Sequence, residues 1–280
     1  MGRILVTGAS GFIGGGVIRD LELDHGVVAM SRHDPDHEGP WVQGEFQSFE
    51  DLRALDQYEI DAVVHLGAVT GGCSERDGMA VNVEGTRALM RYLVDGGCRK
   101  FVLASSIAAV GLADAAFRPE EMPIADDHPC LATDAYGLSK YLMEEVARYF
   151  VRQNRDLDVI ALRLAAIFAD EDPPPLRSPG APSPYALATI TSMALSDTVR
   201  AIRLAVEAPH KEGLRVLNTT HPEAWTAVPV AEVLRAWWGS SVDVSHYDEP
   251  GRQYDSPFGV ARIDSELGFV AKHGPDRYRE

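Results

Sequence analysis

Short apolar runs alternate along this chain with longer stretches whose apolar positions recur at helical spacing. Residues 3–6 form the first strand-like run, 12–23 a helical stretch, and 26–30, 41–43 and 62–66 three further strand-like runs. A helix over about 79–96, a strand at 100–104, a helix around 136–153 and a strand at 158–164 continue the series. That rhythm is the signature of a parallel sheet with crossover helices. It predicts an α/β chain built on a doubly wound, Rossmann-type parallel sheet.

Residues 170–184 break the rhythm with six prolines, at 173, 174, 175, 179, 182 and 184, so the segment reads as neither helix nor inner strand. A loop of that length is either a lid or binding loop, or a solvated linker. Beyond it the pattern resumes with a strand near 188–193, a helix near 196–207, a strand at 215–218 and a helix near 228–238. These predict a smaller C-terminal substrate lobe. The division is therefore a core over residues 1–165 and a mainly substrate-binding lobe over 166–280, with some segments returning to the core.

Composition narrows the partners. At 280 residues the chain is long enough to bury a large core, and its net charge of -16 disfavours a nucleic-acid or anionic-membrane surface. Cys73, Cys98 and Cys130 lack metal-ligand spacing, so reduced thiols, no metal and a cytoplasmic setting are expected. The first strand begins at Arg3 and no apolar run reaches bilayer length, which fits that setting. A small-molecule substrate is the expected partner, and a homodimer is left open.

Chemistry enters with Gly8-x-x-Gly11-x-x-Gly14, immediately after the first strand. Missing side chains there let the backbone turn sharply and approach a pyrophosphate at a helix amino terminus, where Phe12 and Ile13 offer N–H groups. At the end of the second strand stand Ser31 and Arg32, where an acid would grip the ribose hydroxyls of NAD. Arg32 suits a 2'-phosphate, which favours NADP over NAD; the alternative lays Arg32 on the adenine while Asp34 or Asp36 reaches the ribose. Glu45 and Phe46 are placed for the adenine edge or for the surface. Gly67 and Ala68, small residues ending the fourth strand, are expected cofactor contacts. His65 reads as a packed structural histidine, and Asn82 as an amide bonded to the sheet.

Tyr136 and Lys140 lie four residues apart on a helix, downstream of the Ser105-Ser106 pair. That spacing puts the ammonium near the phenol and favours its ionised form. Such a tyrosine takes a proton from an alcohol as hydride leaves for a nicotinamide, or gives one to a carbonyl in reverse, with Ser106 holding the reacting oxygen. In the proline-rich loop, Arg177 is either a fork for a substrate carboxylate or hydroxyl pair, or a solvated arginine.

Thr7-Gly8-x-x-Gly11-x-x-Gly14, His65-Leu66-Gly67-Ala68, Asn82-Val-Glu-Gly-Thr86, Ser105-Ser106 with Gly111, Tyr136-x-x-x-Lys140 and Asp264-Ser-Glu-Leu267-Gly-Phe269 together resemble the extended short-chain dehydrogenase/reductase superfamily, its NAD-dependent epimerases and dehydratases. The resemblance covers nearly the whole chain. It implies a Ser106, Tyr136, Lys140 triad in which Lys140 also holds the nicotinamide ribose. The family's dehydratases carry an Asp-Glu pair after the catalytic Ser or Thr, where this chain has Ile107-Ala108-Ala109; sugar dehydration is thereby disfavoured. Many of its nucleotide-sugar enzymes are longer and have a Gly-Pro where this chain reads Ala166-Ile167-Phe168-Ala169-Asp170, which favours a smaller substrate; uronate dehydrogenases are similar in size. The resulting expectation is an NAD(P)-dependent oxidoreductase acting on a sugar, sugar acid or other small substrate. The alternatives are an epimerase that retains its cofactor and a non-catalytic dinucleotide sensor.

Overall fold

The structure, a computed structural model, describes residues 2–240 and 242–279. Strands β1 (Arg3–Thr7), β2 (Val27–Ser31), β3 (Trp41–Gln43), β4 (Ile60–His65), β5 (Lys100–Ser106), β6 (Asp158–Leu164) and β9 (Gly213–Thr219) form one sheet in the order β3-β2-β1-β4-β5-β6-β9. Every pairing in it is parallel. The chain winds outward from β1 to β3, returns to the other side at β4, and so leaves a crevice between the carboxyl ends of β1 and β4, the switch point at which ligands bind in such sheets.

Helices cover both faces because both faces are apolar. On one side Val17, Ile18 and Leu21 of the helix Phe12–Leu21 and Ala201, Ile202 and Ala205 of the helix Leu195–Glu207 pack against Val6, Val64, Val102 and Ile160. On the other, Leu89, Met90 and Leu93 of the helix Thr86–Asp95 and Met143, Ala147 and Phe150 of the helix Ala135–Gln153 pack against Val63, Phe101, Leu103 and Val159. A third apolar cluster, with Ile107, Phe117, Leu187, Val230, Leu234 and Phe258, is built from segments that leave the carboxyl edge of the sheet.

Two segments that the hydrophobic pattern places in a smaller lobe belong to the core instead. β9 extends the sheet beyond β6, and Leu195–Glu207 packs beside the first helix. The strand expected at 188–193 is a short helix, Ala186–Thr189, followed by β8 (Ser192–Ala194), which pairs with β7 (Ala166–Phe168) in a separate two-stranded sheet. Three-residue strands carry too little alternation to be told from loop by pattern alone. The helix expected at 79–96 begins with wider π-helical turns over Gly78–Gly85 and becomes α-helical at Thr86.

The amino edge of the sheet is tied by charge. Asp158 is fully buried and accepts from Lys100 Nζ at 2.6 Å, Arg215 Nη2 at 2.6 Å and the Lys211 amide at 3.2 Å, joining β5, β6 and β9. Burial pulls the Lys100 ammonium below its ordinary pKa while Asp158 pushes it up. Removing one partner of a buried pair strands the other charge away from water. Asp158→Ala is therefore expected to destabilise the protein by about 3–5 kcal/mol in urea denaturation, with the site at the opposite edge retained; a loss below about 1 kcal/mol would contradict this account.

Candidate active site

The crevice at the switch point is a cavity of about 460 Å³. Its lining contains Gly8, Gly11, Phe12, Ile13 and Gly14 from the glycine turn, Ser31 and Arg32 from the end of β2, Glu45 and Phe46 beyond β3, and Gly67 and Ala68 beyond β4. Every residue expected to contact a dinucleotide thus lines one cavity, apart from Tyr136 and Lys140, which are not in its lining. Ser10, His33, Gln47, Val69, Thr70 and Val81 also line it, without having been singled out in the sequence.

Two glycines make the turn fit. Gly8 has φ of +68°, and a Cβ on it would lie 2.7 Å from the Gly67 amide nitrogen; a Cβ on Gly14 would lie 2.3 Å from the Gly8 carbonyl oxygen. Loop, helix and the end of β4 therefore meet backbone to backbone. The helix Phe12–Leu21 starts at Gly11 with no side-chain cap and no acid in its first turn, so its amino terminus is electrostatically open to an anion.

At the β2 end, the exposed Arg32 side chain has no hydrogen-bond partner among the described residues, while its carbonyl accepts from Gln43 Nε2 at 3.2 Å. The Ser31 hydroxyl donates to the His33 carbonyl at 2.7 Å. Asp34 Oδ1 accepts the Asp36 amide at 2.9 Å, and neither acid lines the cavity. The Asp34 carboxylate is thus engaged within its own loop. Glu45 is the carboxylate of the lining, and it accepts from Gln47 Nε2 at 2.9 Å.

His65 is structural in its contacts. Its Nδ1 lies 2.6 Å from Thr7 Oγ1 and its Nε2 3.0 Å from Thr86 Oγ1. Thr86 already donates its hydroxyl to the Asn82 carbonyl at 2.7 Å, so it accepts from His65 Nε2–H, and Thr7 donates to Nδ1. Burial, with Lys140 nearby, pulls the imidazole down to about 3. Asn82 differs from expectation. Its amide bonds not to a strand but to the Val69 backbone, accepting at 2.9 Å and donating at 3.0 Å, and to Ser139 Oγ at 2.9 Å. It links the loop after β4 to the helix Ala135–Gln153, whose Ser139 in turn donates to the Tyr136 carbonyl at 2.8 Å.

That helix starts at Asp134, whose carboxylate accepts the Gly137 amide at 2.9 Å. Its first turns place Tyr136, half-buried, and Lys140, buried, against the end of β5. Lys140 Nζ donates to the Ala104 carbonyl at 2.7 Å and lies 5.8 Å from the centre of the Tyr136 ring. Desolvation lowers its pKa to about 8, with Glu144 and Cys73 acting in the opposite direction. Ser106 Oγ accepts the Ala108 amide at 3.1 Å. The Tyr136 phenol departs from the sequence expectation: burial raises its pKa, and the nearby Ser106 hydroxyl, rather than the Lys140 charge, works to lower it. The ammonium faces the β5 carbonyl, and desolvation outweighs the favourable contact.

Two neighbours went unmarked in the sequence. Cys73, on the turn after β4, raises the pKa of the Tyr136 phenol, and Tyr185, at the end of the proline-rich loop, is itself pushed up by burial, with Asp134 and Tyr136 adding to the shift. Tyr185 has φ of +60°, and its hydroxyl donates to Asp134 Oδ1 at 3.3 Å. The glycine pair Gly71-Gly72 signals the turn that carries Cys73, whereas nothing in the pattern around residue 185 foretells its place. Arg177 is exposed, held by its main chain to Trp225 and Ala227 at 2.9 and 2.8 Å, and is not in the cavity lining. Among the described residues no group of His, Cys, Asp and Glu could hold a metal ion, and no helix is long and apolar enough to cross a membrane.

The fold and cavity define a doubly wound α/β protein with an anion-receptive glycine turn at its switch point. The chain belongs to the NAD dependent epimerase/dehydratase family, whose model matches residues 4–202. A UDP-glucose 4-epimerase, GEPI48, of Cyamopsis tetragonoloba is 30% identical over 183 residues, 57% of this chain and 50% of that protein. The match thus spans about half the length of this curated relative. Among solved structures, a short-chain dehydrogenase/reductase superfamily protein from Agrobacterium tumefaciens with bound NAD has a TM-score of 0.72 at 23% identity, covering 98% of this chain and 94% of that one. MoeE5 in complex with UDP-glucuronic acid and NAD has a TM-score of 0.69 at 25% identity, covering 98% and 95%. A mutated uronate dehydrogenase shares the fold, with a TM-score of 0.71 at 20% identity, covering 99% of this chain and 84% of that one.

His65 gives the site a pH signature. Its folded pKa, about 3, lies below its ordinary 6.5, so the unfolded chain binds a proton that the folded chain refuses. Stability contributed by neutral His65 is therefore present above pH 6.5 and falls as pH drops toward 3, by about 1.4 kcal/mol per unit. In His65→Gln, which cannot titrate, the loss of urea stability between pH 6.5 and pH 4.5 should shrink; an unchanged loss would place the titrating group elsewhere.

Proposed function

We propose that this protein is an NAD(P)-dependent oxidoreductase acting by hydride transfer on a hydroxyl or carbonyl of a sugar or sugar acid. The observation that carries the reading is the seating of Tyr136 and Lys140 against the Ser105–Ser106 end of β5, next to a glycine-turn cavity at the switch point. The cavity residues fit a dinucleotide: an uncapped helix amino terminus for the pyrophosphate, Gly67 and Ala68 where a flat group must pass, and Glu45 and Phe46 at the far end. A bound nicotinamide supplies the hydride acceptor or donor.

The protein's own groups manage the proton. Ser106 holds the reacting oxygen, and Tyr136 moves the proton to or from it. A phenol kept neutral by burial is the form that donates to a carbonyl; abstraction from an alcohol needs the ionised form, which Ser106 favours. Lys140 would hold the nicotinamide ribose. Arg177, on a proline-rich loop with its main chain fixed, is the proposed fork for a substrate carboxylate. The turn Ile107–Val110 is buried and carries no acid, which argues against water elimination there.

Length does not separate a free sugar from a nucleotide sugar, since MoeE5, solved with UDP-glucuronic acid, is covered over 95% of its chain. The curated relatives named UDP-glucose 4-epimerase favour a second reading, an epimerase that oxidises and re-reduces one substrate on retained cofactor. Cofactor carried through purification, with no net absorbance change at turnover, would select it; net reduction of added NAD or NADP in a screen of sugars and uronic acids would select the oxidoreductase.

Tyr136→Phe should leave dinucleotide affinity nearly intact and lower turnover by about 10²–10⁴-fold, because the ring is kept and the proton is lost. Turnover within twofold of the parent would sink the assignment. Lys140→Met should weaken dinucleotide binding as well as slow the reaction.

On the cofactor, Arg32 in place of an acid favours NADP, although two of the solved relatives named above carry NAD. A charge-assisted contact of about 1.5–3 kcal/mol corresponds to a preference of roughly tenfold or more. Calorimetric titration with both dinucleotides should show that preference in the parent and its loss in Arg32→Ala; equal affinities in the parent would direct Arg32 elsewhere.

A further inference from the structure

Beneath the Tyr136 and Lys140 pair lies a buried charge cluster that the proposed reaction does not use. Glu144, four residues after Lys140 on the same helix, is 1% exposed, and its carboxylate is gripped from two strands. Ser105 Oγ on β5 donates to Oε1 at 2.5 Å, and Arg163 on β6 donates twice, from Nε to Oε1 at 2.9 Å and from Nη2 to Oε2 at 2.8 Å. Ser105 and Arg163 are direct partners across the parallel pair. Arg163 Nη1 donates to the Asp126 carbonyl at 3.0 Å, which fixes the fork from behind. One turn up, Lys140 bonds to Ala104, the residue before Ser105. The helix is thus fastened to the end of β5 at two adjacent residues.

Resting on the proposed role of Lys140 in dinucleotide binding, we propose that Glu144, held by Ser105 and Arg163 one turn along the same helix, is the positioning residue that sets the Lys140 ammonium against Ala104. The charges require such a partner. Lys140 and Arg163 are both buried cations, and the groups facing Lys140 are Tyr136 and Glu144 on its own helix, Cys73 on the turn after β4, and neutral His65 at the end of β4. Arg163 faces Glu144 and Asp126. Of these, Glu144 heads the influences that favour the charged form of Lys140, against the desolvation that disfavours it.

Glu144→Gln keeps the shape and an acceptor but removes the charge, so Lys140 should lose its proton about one to two pH units lower. Titration of the full-length protein with NAD and NADP by intrinsic fluorescence should give affinities within about threefold of the parent at pH 5.5 and at least about fivefold weaker at pH 7.5. Glu144→Asp, which keeps the charge, should return the pH 7.5 affinity toward the parent. An equal loss at both pH values would show a merely structural Glu144 and overturn the inference. If Glu144→Gln fails to fold by circular dichroism, the double variant Glu144→Gln/Arg163→Gln removes the stranded Arg163 charge and is read for the same pH-dependent ratio. Parent-like affinity in Lys140→Met would overturn the Lys140 role and this inference together. Weakened binding in Lys140→Met beside a pH-independent Glu144→Gln effect would overturn the Glu144 inference alone.

Discussion

The backbone contact between the glycine turn after β1 and the end of β4 is the constraint on which the rest of the carboxyl edge depends. Gly8 has no room for a side chain against Gly67, and Gly14 none against Gly8. Such an approach is stable only if the polar groups around it are satisfied without water. His65 does this by lying between Thr7 and Thr86, and Thr7 Oγ1 also accepts the Gly67 amide at 3.3 Å. A charged imidazole would need two acceptors and would break that arrangement, which is why burial holds the ring neutral. From Thr86 the contacts run to Asn82, then to the Val69 loop and to Ser139. One hydrogen-bonded series therefore joins the cavity wall to the helix that carries Tyr136 and Lys140.

Charge is handled differently at the two edges of the sheet. At the amino edge, Asp158 accepts from two cations and ties three strands. At the carboxyl edge, Glu144 accepts from Ser105 and Arg163 while its helix carries a further cation, Lys140, one turn away. Burying a lone ammonium is costly, and a nearby carboxylate offsets part of that cost. The arrangement leaves Lys140 with a pKa of about 8, pulled down by burial and held up by Glu144.

The proline-rich segment gains meaning only from what it touches. Six prolines exclude regular structure, yet the chain is fixed at Arg177 by two main-chain bonds and returns to the site through Tyr185. A non-glycine residue at positive φ costs energy unless its surroundings hold it there. Here the Tyr185 amide bonds to the Leu112 carbonyl at 3.0 Å and its hydroxyl to Asp134, so the loop's end is fastened beside the start of the helix.

Local physics was enough to determine the alternation of strands and helices, the glycine turn and the four-residue spacing of Tyr136 and Lys140. Each depends on periodicity or on a missing side chain, which a single chain displays openly. The destination of β9 and of Leu195–Glu207 was not legible, because membership of a sheet is decided by which edge remains unpaired after the preceding strands have assembled. Pairing of β7 with β8 was equally hidden, since three residues hold less than two full alternations. Side-chain protonation was the least legible property. Spacing brought Lys140 near Tyr136, but burial set the direction of both shifts, the phenol's upward and the lysine's downward, the latter opposed by a carboxylate held from two other strands. Proximity along a helix is written in the sequence; dielectric and the third partner are properties of the assembled interior alone.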